Sequence, residues 1–208
     1  MSAISFYLRV LQALDQIDAP YMIVGSFAGY AFGITRATLD IDIIVALKEE
    51  HFDALSEKFP LPRYYADPVM IRNSVRMGIM FNLIDTQEGV KADLVPLKRE
   101  PEYFLAFERR IQRKFKDLDG RTFDAWCAQP SDIIIGKLMA WTEGRSNKHP
   151  QDIYSIIAFS LRGFSDIPID FSAITSKAAK MGDETLKLWK GIVTDAKREI
   201  AVQKGIAQ

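Results

Sequence analysis

The chain has 208 residues, 48% of them apolar, with 27 basic side chains set against 27 acidic ones. The apolar share suffices for one large domain, or for a domain with a smaller helical region, and the zero net charge excludes a chain-wide pull toward nucleic acid or an anionic membrane. The single cysteine, Cys127, excludes an internal disulfide framework and a Cys-x-x-Cys zinc site, and its place in FDAWCAQP reads as a small buried apolar residue.

Residues 5–17 place Phe6, Val10, Leu11, Leu14 and Ile17 at helical spacing, which predicts an amphipathic helix. Arg9 and Asp15 lie inside that pattern, so no signal peptide is expected, nor does any segment have the length to span a bilayer; a soluble, cytoplasmic protein is expected. Ala19-Pro20 ends the helix and launches a short apolar strand over residues 21–24. Gly25 then allows a tight turn and close backbone approach, and Ser26 is expected to cap a helix running to about Phe32. The free N–H groups and positive dipole end of such a helix suit an anion, for instance a phosphate.

After GITRAT, residues 39–45 form a second strand. Asp40 and Asp42 fall on one face of it, Ile41 and Ile43 on the other. Two carboxylates side by side on a half-buried strand repel each other and need a compensating charge. A divalent cation is the simplest one, and oxygen-only ligands favour magnesium or manganese.

KEEHFDALSEKF predicts a helix burying Phe52, Leu55 and Phe59, with His51 at the surface among its charges; Pro60 and Pro62 break it. Residues 69–72 read as a short strand, and residues 76–85 and 90–96 as a hairpin across Thr86-Gln87-Glu88-Gly89. Two aspartates on this hairpin stand out. Asp85 sits at the mouth of the turn, where aspartate commonly bonds local backbone, and Asp93 sits mid-strand, where a lone carboxylate needs a reason.

Residues 100–110 read as a helix leading into RRIQRKFK, whose Arg109, Arg110, Arg113, Lys114 and Lys116 form either a solvated face or an RNA-binding strip. A turn at Asp119-Gly120 and a strand over residues 122–126 follow. Ser131 is expected to cap a helix that ends near Gly144 and carries Lys137 among Ile134, Leu138 and Trp141; a buried lysine there needs an anionic partner. His149-Pro150 opens the next helix, and residues 170–180 and 183–204 form two more.

The order Gly25-Ser26, short helix, then a strand carrying Asp40-x-Asp42 resembles the nucleotidyltransferase superfamily typified by DNA polymerase beta. Within it, GSFAGYAFGITRATLDIDIIV is most similar to minimal bacterial proteins that include AbiEii-type toxins of toxin–antitoxin and phage-defence systems. The resemblance covers roughly residues 21–159 and implies an α/β fold, a mixed sheet flanked by helices. The catalytic domain is expected over residues 1–128, with a helical region over residues 129–208 packed on it.

The family's third carboxylate lies on a later strand, and on that ground Asp93 in KADLVPL is preferred to Asp85. Asp40, Asp42 and Asp93 are then the expected catalytic and metal-holding set for two Mg2+ or Mn2+ ions, with Gly25 and Ser26 cradling the outer phosphates of a nucleoside triphosphate. KLMAWTEGRSNKHPQDIYSI resembles the family's helical signature, whose matching positions are Lys137, Arg145 and Asp152. Lys137 and Arg145, with Arg36 four residues before Asp40, are expected near the phosphates. The implied activity is transfer of a nucleoside monophosphate to a hydroxyl acceptor, an RNA such as tRNA or a protein; the subgroup implies a toxin with an antitoxin partner. Two other readings share the strand motif. One is an aminoglycoside-type small-molecule nucleotidyltransferase; the other is a non-catalytic nucleotidyltransferase-like binding or antitoxin module, against which the complete carboxylate set argues.

Overall fold

The computed structural model describes residues 3–38, 40–99, 101–116, 122–203 and 205. The chain divides into two compact units: Met1–Phe27 with Ala37–Ala128, and Ala28–Arg36 with Gln129–Gln208.

The first unit is built on a mixed sheet. Helix α1 (Ala3–Gln16) buries Phe6, Val10, Leu11 and Leu14 as a continuous stripe. Strand β1 (Tyr21–Val24) stops at Gly25, whose φ of +66° is open to glycine at little cost. Helix α2 (Gly25–Gly29) is a single short piece that starts at Gly25 itself, so Ser26 lies in its first turn rather than capping it, and a 3₁₀ turn continues it over Tyr30–Phe32. Strand β2 (Asp40–Val45) alternates as expected, Ile41 and Ile43 being wholly buried; Leu39 lies outside the described residues.

Helix α3 (Glu49–Lys58) buries Phe52 and Leu55 as its spacing predicts. His51 differs from expectation: it is buried, and its Nδ1 accepts the Lys48 backbone N–H at 3.0 Å. The imidazole closes a capping box at the helix start, a local bond that draws the ring inward. After β3 (Tyr64–Tyr65) comes a second difference. Residues 69–72 are not a strand but part of helix α4 (Pro68–Met77). Asp67 Oδ1 accepts the N–H groups of Val69 and Met70 at 2.7 and 3.0 Å, and Pro68 fills the first turn where no N–H is needed. The capping residues outweigh the local β propensity of Val69 and Ile71.

Strands β4 (Phe81–Asp85) and β5 (Val90–Pro96) form the expected hairpin, its turn closed by the Gly89 N–H on the Asp85 carbonyl at 2.9 Å, but β4 is shorter than the strand expected over residues 76–85 because Arg76 and Met77 belong to α4. Helix α5 (Pro101–Glu108) leads into β6 (Ile111–Lys116) and β7 (Thr122–Cys127), while the Asp119-Gly120 turn lies outside the described residues. Among the described residues the sheet has seven strands in the order β3-β4-β5-β2-β1-β7-β6. β1 runs antiparallel to β2 and parallel to β7, whereas β2 runs parallel to β5. Met22, Ile23, Ile41, Ile43, Leu83, Ala92 and Leu94 are wholly buried and form its core, and Cys127 is buried as expected.

The second unit is helical: α6 (Pro130–Gly144), α7 (Lys148–Leu161), α8 (Phe171–Met181) and α9 (Asp183–Gln203), with Lys204 outside the described residues. Gln129 caps α6 with Pro130 in its first turn, and the hydroxyl of Ser131, the expected cap, instead accepts the Asp170 N–H at 2.9 Å. The left-handed residue that ends α6 is Arg145, with φ of +52°. Ile134, Leu138, Ile153, Ile157, Ile174 and Trp189 are the buried faces of these helices. The 3₁₀ turn packs on α7, and a Cβ added at Gly33 would stand 2.6 Å from the Cβ of Phe159. Only glycine fits so close a crossing.

The fold is therefore α/β, a mixed sheet with flanking helices and a C-terminal helical region. No helix among the described residues is long and apolar enough to cross a membrane.

Candidate functional site

Strand register brings the carboxylates together. In the parallel pairing of β2 with β5, Asp42 stands directly opposite Asp93 and Asp40 opposite Lys91. Because side chains alternate along a strand, Asp40, Asp42, Lys91 and Asp93 share one face of the sheet. Asp40 is exposed, Asp42 half-buried and Asp93 buried, so the row runs from solvent into the protein.

Asp93 is held on two sides. Asn82, its register partner on β4, donates its amide to Oδ1 at 2.5 Å, and the Lys91 ammonium donates to Oδ1 at 2.9 Å and to Oδ2 at 3.0 Å. These two residues escaped the sequence reading, although the Lys-x-Asp spacing of KADLVPL already places Lys91 on the Asp93 face. Asp85 is engaged elsewhere. Its carboxylate accepts from Arg63 Nη2 at 2.7 Å and from the N–H of Gln87 at 3.0 Å, fixing the turn and the neighbouring strand.

Gly25 abuts Asp42. A Cβ built at Gly25 would lie 2.2 Å from Asp42 Oδ2, well inside contact distance, so the chain turns here with its backbone against the carboxylate. Ser26, the next residue, is buried. The carboxylates on this face offer oxygen alone, and three like charges stand on adjacent strands beside the Lys91 ammonium, which is the chemistry that suits a hard divalent cation. Among the described residues no three carboxylate, imidazole or thiol groups converge closely enough to form a ready-made metal cage.

The expected phosphate-binding cations lie in the helical unit. Arg36 grips Asp152 with two parallel bonds, Nε to Oδ1 at 2.8 Å and Nη2 to Oδ2 at 2.7 Å, and Lys137 donates to the same Oδ2 at 2.6 Å. Asp152 and Lys137 are almost wholly buried. Burial alone would raise the Asp152 pKa, but the hydrogen bonds from Arg36 and Lys137 outweigh it and hold the carboxyl below its ordinary value. The anionic partner that the sequence required for Lys137 is thus Asp152. Arg145 is not part of this group: it pairs with Glu184 at 2.7 Å and lies over the Trp141 ring at 4.2 Å.

Of the basic run before and along β6, Arg110 stacks over Phe107 and Trp126 at 4.2 and 5.0 Å, and Lys114 faces Asp124 at 3.4 Å. Part of that positive charge is spent within the sheet unit.

No known protein family and no curated protein sequence matches this chain. Solved structures similar to it include the antibiotic-resistance factor ANT(2'')-Ia in solution, at 14% identity over 97% of this chain and 95% of that one, with a TM-score of 0.43. A crystal structure of ANT(2'')-Ia in complex with adenylyl-2''-tobramycin is 15% identical over 87% of this chain and 97% of that one, with a TM-score of 0.47. An antigenic nucleotidyltransferase-like protein from Paracoccidioides brasiliensis is 15% identical over 84% of this chain and 85% of that one, with a TM-score of 0.48.

Proposed function

We propose that the chain is a metal-dependent nucleotidyltransferase, moving a nucleoside monophosphate from a nucleoside triphosphate to a hydroxyl acceptor on RNA or protein. The observation that carries this reading is the register of Asp42 against Asp93 on adjacent parallel strands, with Asp40 on the same face and Gly25 against Asp42. It joins the Gly-Ser and Asp-x-Asp segments to a third carboxylate some fifty residues later in the sequence, as the resemblance implied. Asp40, Asp42 and Asp93 would hold magnesium or manganese, which when bound offsets triphosphate charge and acidifies the acceptor hydroxyl.

The remaining chemistry belongs to the chain. The acceptor hydroxyl gives its proton to solvent, its oxygen forms the new bond to the α-phosphorus, and the bond from that phosphorus to the bridging oxygen breaks as pyrophosphate departs with that oxygen. Gly25, lacking a side chain, lets the chain turn with its backbone against Asp42, and the backbone N–H groups after it, with the Ser26 hydroxyl, would offer donors to the outer phosphates. The toxin role and antitoxin partner belong to the subgroup resemblance and add nothing to this mechanism.

The test is label transfer from each of four α-labelled nucleoside triphosphates, with magnesium, into a bacterial lysate containing RNA and protein. A labelled RNA or protein band is expected with the native chain and nearly none with Asp40→Asn/Asp42→Asn, because the carboxylates act as a unit. The double variant should be as stable as the native protein without metal, or more so, since repulsion is relieved. Native transfer rates in a folded double variant would overturn the proposal.

A further inference from the structure

We propose that Lys91 is the chain's own counter-ion to the carboxylate row, that it competes with the divalent cation for Asp93, and that the cation reaches Asp93 only as the Lys91 ammonium leaves it. The inference rests on the metal-dependent reading above and deepens it. Both oxygens of Asp93 are bonded to Lys91 Nζ, at 2.9 and 3.0 Å. Lys91 is also the register partner of Asp40, one strand away.

Asn82 donates to Oδ1 alone, so of the two partners only Lys91 engages Oδ2. The arrangement also lets the ammonium withdraw. The Lys91 side chain is 43% exposed where that of Asp93 is 11% exposed, so the lysine can swing toward solvent while the carboxylate stays in the strand. Lys91 is accordingly a positioning residue, which sets how readily the third carboxylate is given up to metal.

Calorimetric titration with Mn2+ alone, without nucleotide, on the native protein, Lys91→Met and Lys91→Arg tests this. Loss of a unit charge at hydrogen-bond distance should tighten Mn2+ binding by Lys91→Met about tenfold or more, while Lys91→Arg, which keeps the charge, should stay near native. Amine acylation of the native protein, read by mass spectrometry, gives an independent measure should Lys91→Met not fold. Lys91 should become more reactive when Mn2+ is added, with the other lysines as internal controls. Equal affinities across the three proteins, or unchanged Lys91 labelling while Mn2+ demonstrably binds, would overturn the inference and leave the nucleotidyltransferase reading standing. No Mn2+ binding by any form, with or without a nucleoside triphosphate, would overturn that reading and this inference with it.

Discussion

Gly25 carries two demands at one position: a positive φ of +66° and a backbone pressed to within 2.2 Å of Asp42 Oδ2 at the point where a Cβ would stand. Gly25→Ala meets both penalties together. The left-handed conformation and the forced shift of Asp42 should cost roughly 1–3 kcal/mol of stability, read by urea denaturation. Nucleotidyl transfer should fall far more than stability, because the displaced group is one of the three carboxylates. A folded Gly25→Ala protein with native transfer would show that Asp42 need not stand where it does. The same scale separates the two candidate third carboxylates. Asp85 is consumed by Arg63 and two turn N–H groups, whereas Asp93 faces Asp42 and is held by side chains that can let go.

The element with most at stake is α7, whose Asp152 binds both Lys137 of α6 and Arg36 in the 28–36 segment. Asp152→Asn keeps the shape but leaves the 5%-exposed Lys137 without its counter-charge. Breaking a buried pair from one side typically costs roughly 3–5 kcal/mol, and denaturation of the variant should show a loss of that order. A loss below ~1 kcal/mol would mean that water already reaches the group. Segment 28–36 belongs to the helical unit through this pairing and through the Gly33–Phe159 crossing, although in sequence it lies between β1 and β2.

For the molecule as a whole, four groups shape the dependence of stability on pH. His149 has its pKa lowered from the ordinary 6.5, first by burial and then by Lys137 and Lys148. The unfolded chain therefore takes up that proton first, and stability falls as pH drops through 6.5 toward the folded value. Asp152 and Asp85 are held below 3.8 despite burial, by Arg36 with Lys137 and by Arg63 with two turn N–H groups. Their contribution is present above 3.8 and is lost as pH falls through their folded values. Asp15, raised by burial, works in the opposite direction. Thermal unfolding from neutral pH downward should thus show two declines, one below 6.5 that His149→Asn removes and a steeper one below 3.8. A flat profile between neutrality and pH ~5 would contradict the His149 environment.

Much of this was legible from residues alone. Period and turn chemistry act over a few positions, so the α1 stripe, the alternation of β2, the stop at Gly25, the hairpin over residues 86–89 and the need of Lys137 for an anion could all be read locally. The α4 start is equally local, written in Asp67-Pro68, and it prevails over the short β-branched run that suggests a strand. What only the tertiary structure decided was pairing across distance. Asp93 rather than Asp85 faces Asp42, Lys91 and Asn82 hold Asp93, and Arg36 joins Asp152. Register between strands some fifty residues apart is fixed by which faces the whole sheet buries, and a charged side chain takes the partner that this burial leaves within reach.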